Sequence, residues 1–351
     1  MQRSGTAKFT NSDDYRAGMR GAKVDLVFNG QKNFEARLTW VELRHLRLLR
    51  GQENLPRIAR VTFAPDLVFI GFPTRHDPPQ VCDGVELRKG DIVWHARGER
   101  VHQQTRGPSQ WGFISLLPEH LAACGRALTG FDLVAPPSAR ILRPSRPDAA
   151  RLLSLHAKAC RLAETKPEMI AHPEVDRSLE QDLLHTLVNC LASDDGHEFS
   201  GPERHHKKIM DRFEEILAKH SERQLQISEL CAEIGVSERT LRMCCAEFLG
   251  MSPNRYLRLQ RLNRVHAALR SVESPFVTVA ELARRFGFPE LGRFAGMYRL
   301  MFGEMPSTTL RRARSPAHTS LPKLHRPPSS RSDTIPISVR QRKRGSEAEP
   351  R

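Results

Sequence analysis

Nowhere in the 351 residues do apolar side chains run for the 18 or so positions a membrane-crossing helix needs. The first residues also lack the apolar core of a secretory signal, so a cytoplasmic protein is expected. Seven cysteines (Cys82, Cys124, Cys160, Cys190, Cys231, Cys244 and Cys245) are odd in number and scattered, with no CxxC or Cys/His pair at metal-site spacing. That excludes a zinc ribbon or a disulfide framework and predicts reduced core thiols. His76, His95 and His102 form no His-x-His pair followed by a carboxylate, and His205-His206 have no matching ligands. Gly-x-Ser-x-Gly and Gly-rich phosphate loops are missing too. The reading is therefore of a protein that is not an enzyme, with no catalytic residue, no metal and no cofactor.

Aromatic residues reach only 6%, against 39% apolar residues in all, which permits folded cores under polar surfaces. What the chain has in excess is positive charge, +15 in formal terms. Eleven Lys/Arg against Asp333, Glu347 and Glu349 give residues 311–351 +8 of that sum. Residues 203–310, with seventeen basic and thirteen acidic groups, carry +4, and the first 202 residues the remaining +3. A polyanionic partner suits this balance, yet most of the excess lies in a tail rather than in a folded domain.

Length alone predicts more than one core. Residues 1–20 are polar and read as a flexible N-terminus. Between 24 and 134, short segments rich in β-branched and aromatic residues alternate with turns such as Asp83-Gly84 and Lys89-Gly90-Asp91. Phe34, Ala36, Leu38 and Trp40 share one face, predicting an antiparallel barrel or sandwich. After Pro144–Pro147 the period becomes helical: Ala149, Leu152, His156 and Cys160 make one stripe, and Leu183, Leu187 and Leu191 another. The pair would cover the β layer or meet the same pair of a second copy. Residues 21–192 thus read as a β-rich sensor or dimerisation domain with a helical pair. Residues 193–205 read as a linker, 206–312 as an all-α domain, and 313–351, with Pro316, Pro322, Pro327 and Pro328 among Ser and Arg, as a disordered basic tail. The fold class is α+β with two domains.

The helical domain contains an internal repeat at an offset of 52 residues. Gln226–Ser237 and Thr278–Pro289 align without a gap. Thr278 and Glu281 form a capping box, Leu230 and Leu282 point inward, and Cys231 and Ala283 are small where a second helix must pass. Gly235 and Gly287 end each first helix, and Ser237 caps the next. Second helices follow at Glu238–Leu249 and Glu290–Phe302. Between the units, Ser252 and Pro253 start a long helix with a buried Tyr256, Leu259, Leu262, Val265 and Leu269 stripe and with Arg258, Arg261 and Arg264 at three-residue spacing.

With Gly235-Val236-Ser237, Phe248-Leu249-Gly250-Met251-Ser252-Pro253, Gly287-Phe288 and Phe302-Gly303-Glu304-Met305-Pro306 in this order, the region resembles the DNA-binding domain of the AraC/XylS family of bacterial transcription regulators. The resemblance implies two helix-turn-helix units, each placing its second helix in the major groove. It assigns base contacts to Arg239, Arg242 and Met243 in the first unit and to Arg293 and Met297 in the second. Ser237, Thr240, Arg258, Arg261 and Arg299 would hold the DNA backbone. Gly292 and Gly296 depart from the family pattern and shift base reading toward the first unit. For the N-terminal domain the resemblance implies a cupin-like fold with an effector pocket, for which Trp40, Phe63, Phe69 and Trp94 are the candidate lining. The expected partners are double-stranded DNA, a small-molecule effector, RNA polymerase and a second copy of the chain, with no membrane. Two alternatives stand beside this reading: a non-specific or architectural DNA binder, and a β-domain enzyme fused to a DNA-binding module.

Overall fold

Glycine at the predicted turns supplies left-handed backbone, with φ of 85° at Gly84 and 92° at Gly90, and cuts the N-terminal region into short strands. The computed structural model describes residues 3–19, 21–28, 34–192, 196–220, 225–272 and 276–314. In chain order the first elements are β1 (Ser4–Phe9), α1 (Ser12–Gly18), β2 (Ala22–Phe28), β3 (Ala36–Glu42), β4 (Leu46–Glu53), β5 (Arg57–Phe63) and β6 (Val68–Pro73). Then come β7 (Gln80–Cys82), β8 (Val85–Glu86), β9 (Ile92–Trp94), β10 (Arg100–Thr105), β11 (Ser109–Leu116), α2 (Pro118–Thr129) and β12 (Arg140–Leu142). Helices α3 (Arg146–Thr165), α4 (Pro167–Ile170) and α5 (Pro173–Leu191) precede β13 (Gly196–Glu198). The rest is helical: α6 (Gly201–Lys219), α7 (Ile227–Ile234), α8 (Glu238–Leu249), α9 (Pro253–Arg270), α10 (Val279–Arg285), α11 (Leu291–Phe302) and α12 (Pro306–Arg314).

The strands form two antiparallel sheets, ordered β1-β3-β4-β11-β6-β9-β12-β13 and β2-β5-β10-β7-β8. Period-two alternation sorts the side chains of the large sheet cleanly. Leu48, Ile70, Phe72, Ile114 and Trp94 join Leu152, Ala159, Leu183 and Leu187 in the core under α3 and α5. Leu49, Phe69 and Phe113 point the other way, toward the small sheet. Covered on both faces, β6 is buried along its whole length. The helical pair therefore covers the sheet within one chain.

Two parts of the expected organisation change. Residues 4–18, read as flexible, build edge strand β1, paired to β3 from Ser4↔Val41 to Phe9↔Ala36, and helix α1. Their polarity misleads because one residue anchors the segment: Tyr15 is fully buried between Phe9 and Phe34. The linker also shrinks, since β13 pairs with β12 and α6 begins at Gly201 under a capping box of Ser200 and Glu203. Residues 313 and 314, assigned to the tail, close α12, and the tail beyond Arg314 lies outside the described residues. No helix among the described residues is long and apolar enough to cross a membrane.

Candidate nucleic-acid interface

Each repeat folds as its local signals require. Gly235 leaves α7 at φ 84°, Ser237 Oγ accepts the Thr240 amide at 3.1 Å, and α8 follows. In the second unit Thr278 Oγ1 accepts the Glu281 amide at 3.1 Å, Gly287 turns at φ 80°, and α11 follows. Leu230, Leu241, Cys245 and Phe248 close the first core, while Leu282, Phe294, Tyr298 and Met301 close the second. Connecting helix α9 buries the expected stripe of Tyr256, Leu259, Leu262, Val265 and Leu269.

On the opposite side of α8, Arg239, Arg242 and Met243 are exposed. Arg242 donates to Glu238 Oε2 one turn back at 2.7 Å, and on α11 Arg293 lies 3.1 Å from Glu290. Both pairs sit in water and contribute little to stability, so either guanidinium can exchange its carboxylate for a base edge or phosphate. A Cβ on Gly292 or Gly296 would meet nothing within 4 Å, so α11 presents a smooth face on which Arg293 is the long donor. Met297 is only partly available, being half-buried against the core. Arg299 is exposed at the far end of α11.

The three α9 arginines diverge. A step of three residues turns a helix by about 300°, so each successive side chain drifts about 60° around the axis. Arg258 reaches solvent, and Arg264 is half-buried. Arg261 turns to the second unit, donating to the Gly287 carbonyl at 3.2 Å with its guanidinium 5.2 Å from the Phe288 ring centre. Burial, reinforced by Arg258, pulls its pKa below the usual arginine range. Arg261 therefore clamps the two units together instead of lying free for a phosphate. A second tie runs from His266 Nδ1 to Tyr298 Oη at 2.6 Å, and from Tyr298 Oη to Thr309 Oγ1 at 2.8 Å.

Against the small sheet lies a charged seat that sequence reasoning missed. Lys207 Nζ of α6 donates to Asp83 Oδ2 at 2.7 Å and to the Arg100 carbonyl at 2.5 Å. Glu214 accepts from Tyr256 Oη at 2.6 Å and from Arg60 at 3.1 Å, and Arg60 reaches Asp25 at 3.0 Å. Buried His102 stands between the two carboxylates, 3.8 Å from Asp83 and 3.9 Å from Glu214, beyond hydrogen-bond length. Burial disfavours its imidazolium, but the facing carboxylates outweigh burial and raise it to about 9. Burial likewise opposes ionised Asp83, and Lys207 with His102 holds it at about 2. The sequence offered the Asp83-Gly84 turn, His102 as a histidine without metal-ligand spacing and Tyr256 in a buried stripe, and nothing that joins them.

Between the sheets a cavity of about 40 Å³ is lined by Phe63, Phe69, Val61, Trp111, Phe113, Arg57, Gln103 and Ser115 among others. Of the four residues named as candidate pocket lining, Phe63 and Phe69 line this cavity and Trp40 and Trp94 do not. Trp94 has the parity of Ile70 and faces α3 and α5, and the Trp40 ring covers Gly5 of edge strand β1. Arg57 is committed to Glu53 at 3.2 Å, both buried. Among the described residues no group of three or more His, Cys, Asp or Glu is arranged to hold a metal ion.

Fold and exposed arginines together define the class: a paired helix-turn-helix protein with a two-sheet β region. Residues 230–312 match the family model described as a helix-turn-helix domain. The chain is 30% identical over 146 residues to a probable thc operon regulatory protein of Rhodococcus erythropolis, covering 41% of this chain and 44% of that protein. It is 29% identical over 163 residues to a XylDLEGF operon transcriptional activator of Pseudomonas putida, covering 46% and 49%. The crystal structure of a probable AraC family transcriptional regulator from Rhodopseudomonas palustris CGA009 is 37% identical and covers 30% of this chain and 98% of that one, with a TM-score of 0.28. The chain spans about half the length of the curated relatives it matches. Its helix-turn-helix region is similar to that of AraC/XylS-type transcription regulators.

Proposed function

We propose that the protein is a sequence-specific DNA-binding transcription regulator that reads two successive major-groove segments with α8 and α11. The observation carrying this reading is the pair of capped helix-turn-helix units with exposed arginine faces, tied together by Arg261. Arg239 and Arg242 read guanine edges, with Met243 against a neighbouring base, while Arg293 is the chief reader of α11. Ser237, Thr240, Arg258 and Arg299 position the backbone. Selection of bound sequences from random DNA tests the proposal: recovered sites should contain two constrained segments about one helical turn apart. Recovery of no preferred sequence would instead identify an architectural binder.

Arg242→Ala should lower affinity for the selected site by about 1–3 kcal/mol while leaving scrambled DNA nearly unaffected. Equal loss on both, measured by fluorescence anisotropy, would make Arg242 a phosphate contact. Arg261→Met should weaken binding to the full two-segment site about tenfold, since a lost hydrogen bond and ring contact total roughly 1–2 kcal/mol. A duplex carrying only the first segment should bind the variant and the parent alike. If both duplexes lose affinity together, the clamp role is wrong.

In this reading the two sheets form a cupin-like sensor, and its effector enters the inter-sheet cavity. The lining is mainly apolar and Arg57 is already neutralised by Glu53, so an uncharged, largely apolar small molecule suits it. RNA polymerase and a second copy of the chain are the remaining partners the proposal includes.

A further inference from the structure

The small sheet has two working faces, separated by the thickness of one strand. Along β10, Gln103 lines the inter-sheet cavity, while its neighbours His102 and Gln104 face the helices. Along β5, Arg57, Val61 and Phe63 line the cavity, while Ile58 packs into the helical core and Arg60 pairs with Glu214 of α6. On β2, Val24 faces the cavity, and Val27 and Asp25 face the helices. Asp25, Arg60 and His102 are register partners, so their charges lie in one row across the three strands.

That row is the floor on which the first helix-turn-helix unit rests. Phe248 of α8 meets the His102 ring edge-on at 5.9 Å, and Gly250 lies against Gln104. A Cβ on Gly84 would stand 2.7 Å from Glu247 of α8, so the β7–β8 turn and that helix touch. The polar groups in the seat are arranged in alternating sign: Lys207, Asp83, His102, Glu214, Arg60 and Asp25.

The apolar contacts of the seat, Val27 and Ile58 against the helical core, are non-directional and tolerate small shifts of the strands. A buried ion network behaves differently: it holds in one register, and its charges regain hydration when the seat opens. A shift of about 1 Å takes a 2.7 Å contact beyond hydrogen-bond length. The cavity behind the sheet has room for only a few waters, so anything larger must part the two sheets, and β5 and β10 are the wall of the cavity that also carries the seat.

We infer that the Lys207–Asp83–His102–Glu214 cluster is a latch that seats the first helix-turn-helix unit on the small sheet, and that filling the inter-sheet cavity releases it. The inference deepens the proposed regulatory reading by naming the element that joins the sensor cavity to the reading head.

The test uses the full chain and no DNA, so its failure leaves the DNA-reading proposal standing, and failure of site selection leaves the latch standing. Gln104→Cys places a thiol in the seat, where Gln104 is buried, and its maleimide labelling rate, resolved by peptide mass, reports opening. Asp83→Asn and Lys207→Met should each speed that labelling at least about tenfold, while buried Cys160 of α3 stays unlabelled. Ser115→Phe fills the cavity from the large sheet, away from the latch, and should do the same. Combined with Asp83→Asn it should add little, because the latch is already open. Should Ser115→Phe also expose Cys160, the smaller Ser115→Leu decides in its place. Unchanged labelling in Asp83→Asn and Lys207→Met would overturn the latch. Faster labelling in those two but not on cavity filling would overturn the link to the cavity.

Discussion

Replacing Glu53 by alanine is expected to lower the unfolding free energy by about 3–5 kcal/mol, a large fraction of what holds a domain folded. Glu53 ends β4 with its side chain wholly buried, accepting from Tyr15 Oη at 2.7 Å, Trp111 Nε1 at 2.9 Å and Ser109 Oγ at 2.5 Å. Its fourth partner is Arg57, 3.2 Å away and itself only 3% exposed. Removing the carboxylate strands that guanidinium and three donors in a site closed to bulk water, and the uncompensated charge is the largest part of the loss. The same network fastens α1 to the sheets through Tyr15, so the N-terminal segment should come loose first. Urea unfolding of Glu53→Ala measures the effect, with Arg57→Met and the double variant completing the cycle. The double variant should recover at least half of the loss, because no unpaired charge remains. A loss under about 1 kcal/mol in Glu53→Ala would show that solvent reaches the pair.

What was legible in the sequence was what short-range chemistry determines. The capping box at Thr278, the positive-φ glycines 235 and 287, and the apolar spacing of α8, α9 and α11 each need only a few neighbouring residues to act. They survived intact into the fold. Strand β10 did not announce itself, because Arg-Val-His-Gln-Gln-Thr reads as polar loop. Its outward residues are polar for a tertiary reason, namely that they face the charged underside of α6 and α8. Arg261 could be placed on a helix but not aimed, since its target, the Gly287 carbonyl, is 26 residues away. His102 was visible only as a histidine without metal-ligand spacing, and nothing near it in sequence points to Glu214. In the cavity, strand parity decided the outcome. Phe63 and Phe69 fall on the inter-sheet face, while Trp94 falls on the face that meets the helices.

Stability should fall by about 3 kcal/mol between pH 6.5 and 9 through His102 alone, the magnitude following from a pKa raised from its ordinary 6.5 to about 9. Below pH 6.5 the folded and unfolded chains both hold the proton, and the attraction of the imidazolium to Asp83 and Glu214 acts in full. Above 6.5 the unfolded chain releases its proton while the folded one keeps it, so the folded state binds more protons and stability drops with rising pH. By about pH 9 the contribution is gone. His156 and His266 act in the opposite sense: burial depresses both to about 4, so stability is lost as pH falls from 6.5 toward 4. Buried thiols such as Cys160 and Cys190, pushed up to about 12 by burial, begin to subtract only above the ordinary thiol pKa near 8.5. The window from 6.5 to 8.5 therefore belongs to His102, and the parent protein should be most stable near pH 6.5. His102→Gln should flatten the curve across that window while leaving the acid limb unchanged, as read from urea midpoints at half-unit pH steps. A His102→Gln curve with the parent's slope between 6.5 and 8.5 would mean that His102 does not carry its charge in the folded seat.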